Sequence, residues 1–157
     1  MSDAMSSSVG ICPKNWMHIQ GSCYKTSSRA VSWNTAKYGC EALGSKLAMV
    51  KSHSELQALV QKVRRTVWIG LHRDPRDKSR WNLVDGTRAS YSHWNQGEPN
   101  NAGGNEGCTE MFPRSGKWND GLCSISRSSL CETNGEETLK IATTTTKPKT
   151  KKKEHLR

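Results

Sequence analysis

The stretch TVWIGL, residues 66–71, divides this sequence into two kinds of text. It gathers β-branched, aromatic and aliphatic residues in one short run, which reads as a buried strand. Just before it, SHSELQALVQKV (52–63) has helical spacing. Ser52 and Glu55 form a capping-box pair, and Leu56, Leu59, Val60 and Val63 fall on one apolar stripe. Further upstream, SWNTAKYGCEAL (32–43) sets Trp33, Ala36, Cys40 and Leu43 on one face at spacings of three and four. After Leu71 the composition turns to Gly, Pro, Asn, Asp and Ser with isolated tryptophans. Short strands are expected there at 81–84, 109–112, 116–118 and 129–132. Helices first, then strands and loops, indicate an α+β fold. An irregular region of that length inside a compact domain usually carries function.

The chain has 157 residues, enough for one domain with tails. A mean hydropathy of −0.78 and 33% hydrophobic residues predict a modest core. Six tryptophans, at 16, 33, 68, 81, 94 and 118, supply much of its bulk beside the single Phe112; those at 68, 81 and 118 are assigned to the core. Six cysteines at scattered spacings (Cys12, Cys23, Cys40, Cys108, Cys123 and Cys131) point to three disulfides and an oxidising compartment. No two of them have the close C-x-x-C spacing of a zinc site. Spacing alone leaves about 15 pairings open.

The opening MSDAMSSSVG contains no apolar stretch that could act as a signal peptide, and no run in the chain is long and apolar enough to span a bilayer. The expectation is a secreted, extracellular protein whose export signal is absent from this chain. The net charge of +10 raises the question of nucleic acid. Residues 133–157 hold seven Lys/Arg against three Glu, and the remaining excess is spread thinly. Only 62–65 and 73–80 are locally dense. This pattern predicts a solvated face with a basic tail and no nucleic-acid partner. The division expected is a disordered lead over 1–11, a folded domain over 12–132, and a disordered Thr/Lys-rich tail over 133–157.

The least apolar stretch, GEPNNAGGNEGC (97–108), holds the densest chemistry. Alone it has ordinary loop composition. Together with WND (118–120) it supplies Glu98, Asn100, Glu106, Asn119 and Asp120, each ending in a hard oxygen. Calcium takes six to eight such oxygens in flexible geometry. Five side chains and the Asp120 carbonyl would give about six ligands and leave two positions for a partner. Two adjacent sugar hydroxyls could fill them. Each hydroxyl would accept from an Asn amide and donate to a Glu carboxylate, so acids alternating with amides suit a diol. A cis bond at Pro99 would turn the Glu98 and Asn100 oxygens toward one point.

With that company, residues 12–132 resemble the C-type lectin-like family. The resemblance rests on CPKNW…CY (12–24), WNTAKYGCEALGSKLAMVKSHSE (33–55), WIGL (68–71), WNLVDG (81–86), GEPNN, NEGC, WND and the LCE that ends at Glu132, all in the family's order. It implies pairing of Cys40 with Cys131, Cys108 with Cys123, and Cys12 with Cys23 as the additional bridge of long-form domains. It implies a principal calcium held by Glu98, Asn100, Glu106, Asn119 and Asp120. Glu-Pro-Asn is the variant associated with mannose-type sugars (mannose, N-acetylglucosamine, fucose), which present equatorial vicinal hydroxyls. Ala102 and Gly103 stand where galactose-type members commonly carry a stacking Trp. A partial match places a second, structural calcium at Asp74, Asp77, Asn101, Glu106 and Asp120.

The function expected is therefore calcium-dependent carbohydrate binding. The alternative is a domain of the same fold that binds a protein, ice or a mineral surface. No enzyme is expected: the cysteines are committed to disulfides, no G-x-S-x-G elbow occurs, and the five histidines show no metal-ligand spacing. Asp85 and Gly86 read as a turn. No coiled coil or collagen repeat is present to cluster weak sites. Clustering would come from contacts between copies in a homo-oligomer, from the tail, or from a multivalent surface.

Overall fold

A computed structural model describes residues 12–134; the lead before Cys12 and the tail from residue 135 onward lie outside the described residues. In chain order the elements are β1 (Met17–Ile19), β2 (Ser22–Thr26), α1 (Trp33–Ala42), β3 (Lys46–Leu47), α2 (His53–Val60), β4 (Val67–Arg73), β5 (Trp81–Leu83), β6 (Glu106–Met111), β7 (Trp118–Leu122) and β8 (Ser128–Thr133). A single 3-10 turn, Ala102–Gly104, interrupts the long loop before β6. The α+β class expected from the sequence is the one that forms.

The strands run in the order β1-β2-β8-β4-β6-β7, with β3 joined to β8 and β5 to β4. Most neighbours are antiparallel; β4 and β8 pair in parallel, Val67 opposite Ser128 and Trp68 opposite Ser129. Strand β4 thus has three partners, and every residue from Val67 to Leu71 is buried. Burial on both faces explains why this run is continuously apolar and does not alternate.

Gly70 shows how tightly the layers meet. A Cβ there would lie 2.5 Å from the Leu47 carbonyl oxygen and 2.9 Å from a Val84 methyl. Its N–H donates to Ala48 O at 2.7 Å. Only glycine lets the chain after β3 approach β4 so closely.

Two tryptophans latch α1 to this strand. Trp33 Nε1 donates to Ile69 O at 2.9 Å, and Trp68 Nε1 donates to Val31 O at 2.8 Å. Each indole is buried with its one donor satisfied, as a buried Trp requires. Helix α1 starts at Ser32, whose Oγ accepts from Thr35 N at 3.3 Å. It buries Trp33, Ala36 and Cys40. Leu43 departs from the expected face. It is the C-cap residue and 47% exposed, because the chain turns out of the helix at Gly44, where φ is +77°.

Helix α2 starts at Ser52, whose Oγ accepts from Glu55 N at 3.2 Å. The Glu55 carboxylate reaches back to Lys51 N at 3.3 Å, one residue earlier than the usual capping box. Leu56 and Leu59 are buried, as is Val63 just past the helix end, while Val60 is half-buried. Each fully buried side chain of this kind contributes about 1.5–3 kcal/mol relative to exposure.

Of the late strands, β5 and β8 lie where they were expected. β6 begins earlier, at Glu106. The strand expected at 116–118 starts only at Trp118, because Gly116 has φ +69° and a Cβ on it would sit 2.4 Å from Val60 Cγ1. β7 therefore carries Trp118, Asn119 and Asp120 on one strand. The disulfides are Cys12–Cys23, Cys40–Cys131 and Cys108–Cys123, the pairing implied by the family resemblance. Cys40–Cys131 bolts α1 to β8, and Cys108–Cys123 bolts β6 to the turn after β7. Trp68 and Trp118 are buried; Trp81 is only partly so.

Candidate functional site

The candidate residues gather where the 93–106 loop lies against β7. Trp118 N donates to His93 O at 2.9 Å, and Asn95 N donates to Trp118 O at 2.8 Å, so the loop enters as a short pairing with the strand. Trp94 and Tyr91 meet Trp118 edge-on, with ring centroids at 5.8 and 5.7 Å. This aromatic base holds the loop from beneath. Glu98 N donates to Asn95 O at 2.9 Å, and the Glu98–Pro99 bond is cis.

Asp120 anchors the loop beyond that bond. Alternation along β7 turns its side chain inward with Trp118, and it is wholly buried. Its Oδ1 accepts from Asn100 N at 3.0 Å and its Oδ2 from Asn101 N at 2.7 Å. One carboxylate thus fixes two successive backbone amides. Asn101 Oδ1 accepts from Glu106 N at 3.0 Å, and Glu106 Oε1 accepts from Ala102 N at 2.8 Å. Asn101 has φ +48°, a conformation that asparagine tolerates better than most residues. Glu98, Asn100, Glu106 and Asp120 therefore share one loop–strand junction.

Asn119 sits on the neighbouring position of β7. Its Nδ2 donates to Glu110 Oε2 at 2.8 Å, which commits the amide nitrogen on that side and leaves the Oδ1 end for another partner.

Glu98 carries the strongest chemical signal. Its Oε1 is buried and has no hydrogen-bond partner. Burial, and then the Asp120 carboxylate beside it, push the Glu98 carboxyl above its usual range. A buried carboxylate oxygen without a donor, beside a second acid, is a deficit of positive charge. Among the described residues no three His, Cys, Asp or Glu side chains converge as a metal cluster. The donor set mixes carboxylates with amides, and hard oxygens of this kind suit a hard divalent cation.

The acids assigned to a second cation behave differently. Asp74 Oδ1 accepts from Arg76 N at 2.7 Å and Asp77 N at 3.2 Å, and its Oδ2 accepts from Asn82 Nδ2 at 3.0 Å. Asp77 Oδ1 accepts from Ser79 N at 3.0 Å and Ser79 Oγ at 2.6 Å. The bond from Asn82 chiefly holds Asp74 below the usual carboxylate range, and the bond from the Ser79 hydroxyl does so for Asp77. Both acids serve the turn between β4 and β5.

Two residues outside the expected set complete the junction. Arg73, at the end of β4, donates from Nη2 to Asp120 Oδ2 at 2.8 Å and to the Glu106 carbonyl at 3.0 Å. Glu110, on β6, takes Arg127 Nε on its second oxygen at 2.6 Å. An acid within an expected strand is the signal that could have found Glu110, since buried acids are nearly always paired. Arg73 had no such signal; it stood among other basic residues of a surface loop.

Comparison with known proteins bears on the family and the fold. The family model for the lectin C-type domain matches residues 29–133. The mouse protein C-type lectin domain family 4 member G is 40% identical over 133 residues, which cover 81% of this chain and 44% of that protein. This chain thus spans less than half of that relative's length. Among solved structures, the carbohydrate-recognition domain of cow CD23, crystallised in the presence of a GlcNAc2Man3 oligosaccharide, superposes with a TM-score of 0.73 at 35% identity, covering 80% of this chain and 97% of that one. A calcium-independent type II antifreeze protein superposes with a TM-score of 0.72 at 27% identity, covering 79% of this chain and 95% of that one.

Proposed function

The chain belongs to the C-type lectin domain family, and from that premise we propose that it binds mannose-type glycans in a calcium-dependent manner at Glu98, Asn100, Glu106, Asn119 and Asp120. The observation that carries this reading is the buried, partnerless Glu98 Oε1 beside Asp120. Three carboxylates give the junction a charge that one divalent cation, together with Arg73, neutralises.

Calcium, when bound, supplies a Lewis acid for two vicinal sugar hydroxyls. The chain's own residues do the rest. Carboxylate oxygens of Glu98 and Glu106 accept the hydroxyl protons, and amide hydrogens of Asn100 and Asn119 donate to the hydroxyl oxygens. Asn119 has one amide hydrogen to spare after its bond to Glu110. Equatorial neighbouring hydroxyls, as on mannose, N-acetylglucosamine and fucose-type ligands, suit acids and amides set side by side.

The family is of lectin type, and the reading that follows from it is a binding module. A shallow site of this type gives on the order of −4 kcal/mol, or millimolar affinity. Avidity then comes from several sites engaging one surface. Among the described residues no helix is long and apolar enough to cross a membrane. The disulfides favour an extracellular setting.

The test is retention on mannose resin with calcium and again with excess chelator. Retention with calcium and elution by chelator is expected. A second reading, docking to a protein, ice or mineral surface, is favoured by one observation: the calcium-independent antifreeze protein shares this fold. Retention that chelator leaves untouched, or no retention at all, would turn the assignment toward it.

A further inference from the structure

We propose that the Arg73 guanidinium is a resident cation that takes the place of a second, structural calcium. By this inference the chain binds one calcium and holds its 98–106 loop in shape with its own side chain.

Arg73 spreads its donors over several segments. Nε and Nη2 both donate to the Glu106 carbonyl, at 3.1 and 3.0 Å. Nη2 also donates to Asp120 Oδ2 at 2.8 Å, and Nη1 donates to the Lys78 carbonyl. One planar group therefore ties β4, the β4–β5 turn, the start of β6 and the middle of β7. The turn, the start of β6 and the middle of β7 are segments that a structural ion between Asp74, Asp77, Asn101, Glu106 and Asp120 would also have to join, and Asn101 is reached through Asp120.

The setting is partly dry. The Arg73 side chain is 13% exposed and Asp120 not at all. The Trp81 ring covers the guanidinium, with Cζ 4.5 Å from the ring centroid. A fixed cation over an aromatic face, in contact with a buried carboxylate, is a strong arrangement. From Asp120 the restraint passes to the loop, because the same carboxylate accepts from Asn100 N and Asn101 N. Glu106, held by its carbonyl, returns its side chain to Ala102 N.

A divalent ion is not needed in this scheme, because the guanidinium already meets the buried carboxylate. The cavity between the turn and the loop, about 240 Å³, is lined by Arg73 and Lys78 as well as by Asp74, Asn101 and Glu106. The Arg73 guanidinium lines that cavity and repels an incoming cation. Asp74 and Asp77 already accept from their own turn. The guanidinium supplies the positive charge that Asp120 needs, at the place where a metal would supply it.

This inference rests on reading the Glu98 junction as the one calcium site, so its test has two arms. Calcium binding to the purified chain, followed by isothermal titration, counts ions. One per chain is expected, and two would overturn the proposal. Amide hydrogen exchange in excess chelator reads the loop without any metal. In the parent protein, the amides of Asn100, Asn101 and Ala102 are expected to be protected. In Arg73→Met they are expected to exchange roughly tenfold faster or more, as loss of a charge-assisted bond implies. Amides of α1 should stay unchanged, which separates loop release from global destabilisation. Should Arg73→Met not fold, Arg73→Lys keeps the charge and loses the fork, and is expected to restore part of the protection. Equal loop exchange in the parent and the folded variant would overturn the proposal. A count of zero calcium would sink the reading of the Glu98 junction, while the exchange arm would still decide what Arg73 does.

Discussion

Asn119 and Glu110 are bound to each other across β7 and β6, Nδ2 to Oε2 at 2.8 Å, and the other Glu110 oxygen is held by Arg127 at 2.6 Å. Glu110 is only 5% exposed. A buried acid with a partner on each oxygen is a fixed post, and here it holds the Asn119 amide by its nitrogen. In the proposed calcium site Asn119 is a ligand, and a group that orients a ligand typically matters by one to two orders of magnitude in metal affinity.

Glu110→Gln keeps the shape but loses the charge that holds Arg127 and the preference for the Asn119 amide nitrogen. Calcium affinity is expected to fall about tenfold, with the fold retained. Calorimetric titration alongside circular dichroism checks this. Unchanged affinity would mean that Asn119 is oriented by something else.

Exchange of donor and acceptor order should move sugar preference. Glu98→Gln with Asn100→Asp leaves the oxygen count alone and swaps which hydroxyl meets an acid. The expected result is a shift from mannose toward galactose in a competition assay. Unaltered selectivity would count against a direct contact between these side chains and the sugar.

Two glycines should respond in opposite directions. Gly70→Ala would force a Cβ to 2.5 Å from the Leu47 carbonyl, a backbone atom that cannot swing away. A loss of roughly 3 kcal/mol or more, or failure to fold, is expected from overpacking of this severity. Gly39 lies exposed within α1, with nothing within 4 Å of a built Cβ. Gly39→Ala should stabilise by about 0.5–1 kcal/mol. Urea denaturation of both variants gives the comparison.

Glu132 supplies a pH test away from the junction. Burial pushes its carboxyl above the usual range, against the opposing pull of its bond from Met49 N at 2.9 Å. A folded-state pKa raised above the unfolded value gives a contribution that is full below about pH 4 and is lost as pH rises through the folded value. Glu132→Gln does not titrate and still accepts from Met49. Its stability relative to the parent should therefore rise between about pH 4 and pH 7. A flat difference in urea midpoints over that window would contradict the assignment.

Much of the architecture was legible in the chain itself. The cap at Ser52 and the stripe of Leu56 and Leu59 act within one or two turns, so a short window of residues settles them. TVWIGL announced a buried strand. Leu43 misled because periodicity alone does not say where a helix stops, and Gly44 ends it there. Gly116 misled because the start of β7 depends on a contact with Val60, far away in the chain. Most candidate donors were legible as residue types, yet their division of labour was not. Asp74 and Asp77 were expected to share a second calcium with Asp120, but the first two are occupied by their own turn and the third is buried at the centre of the loop.

The amino-acid order by itself settled the α+β class, the two helices, the buried strand and the inventory of oxygen-bearing side chains, because periodicity, caps and composition act locally. Tertiary structure alone decided that Arg73 meets Asp120 and that Glu110 holds Asn119. Those pairs are separated by 47 and 9 positions, and a charged side chain acquires its role only when folding removes water and brings its counter-charge within reach.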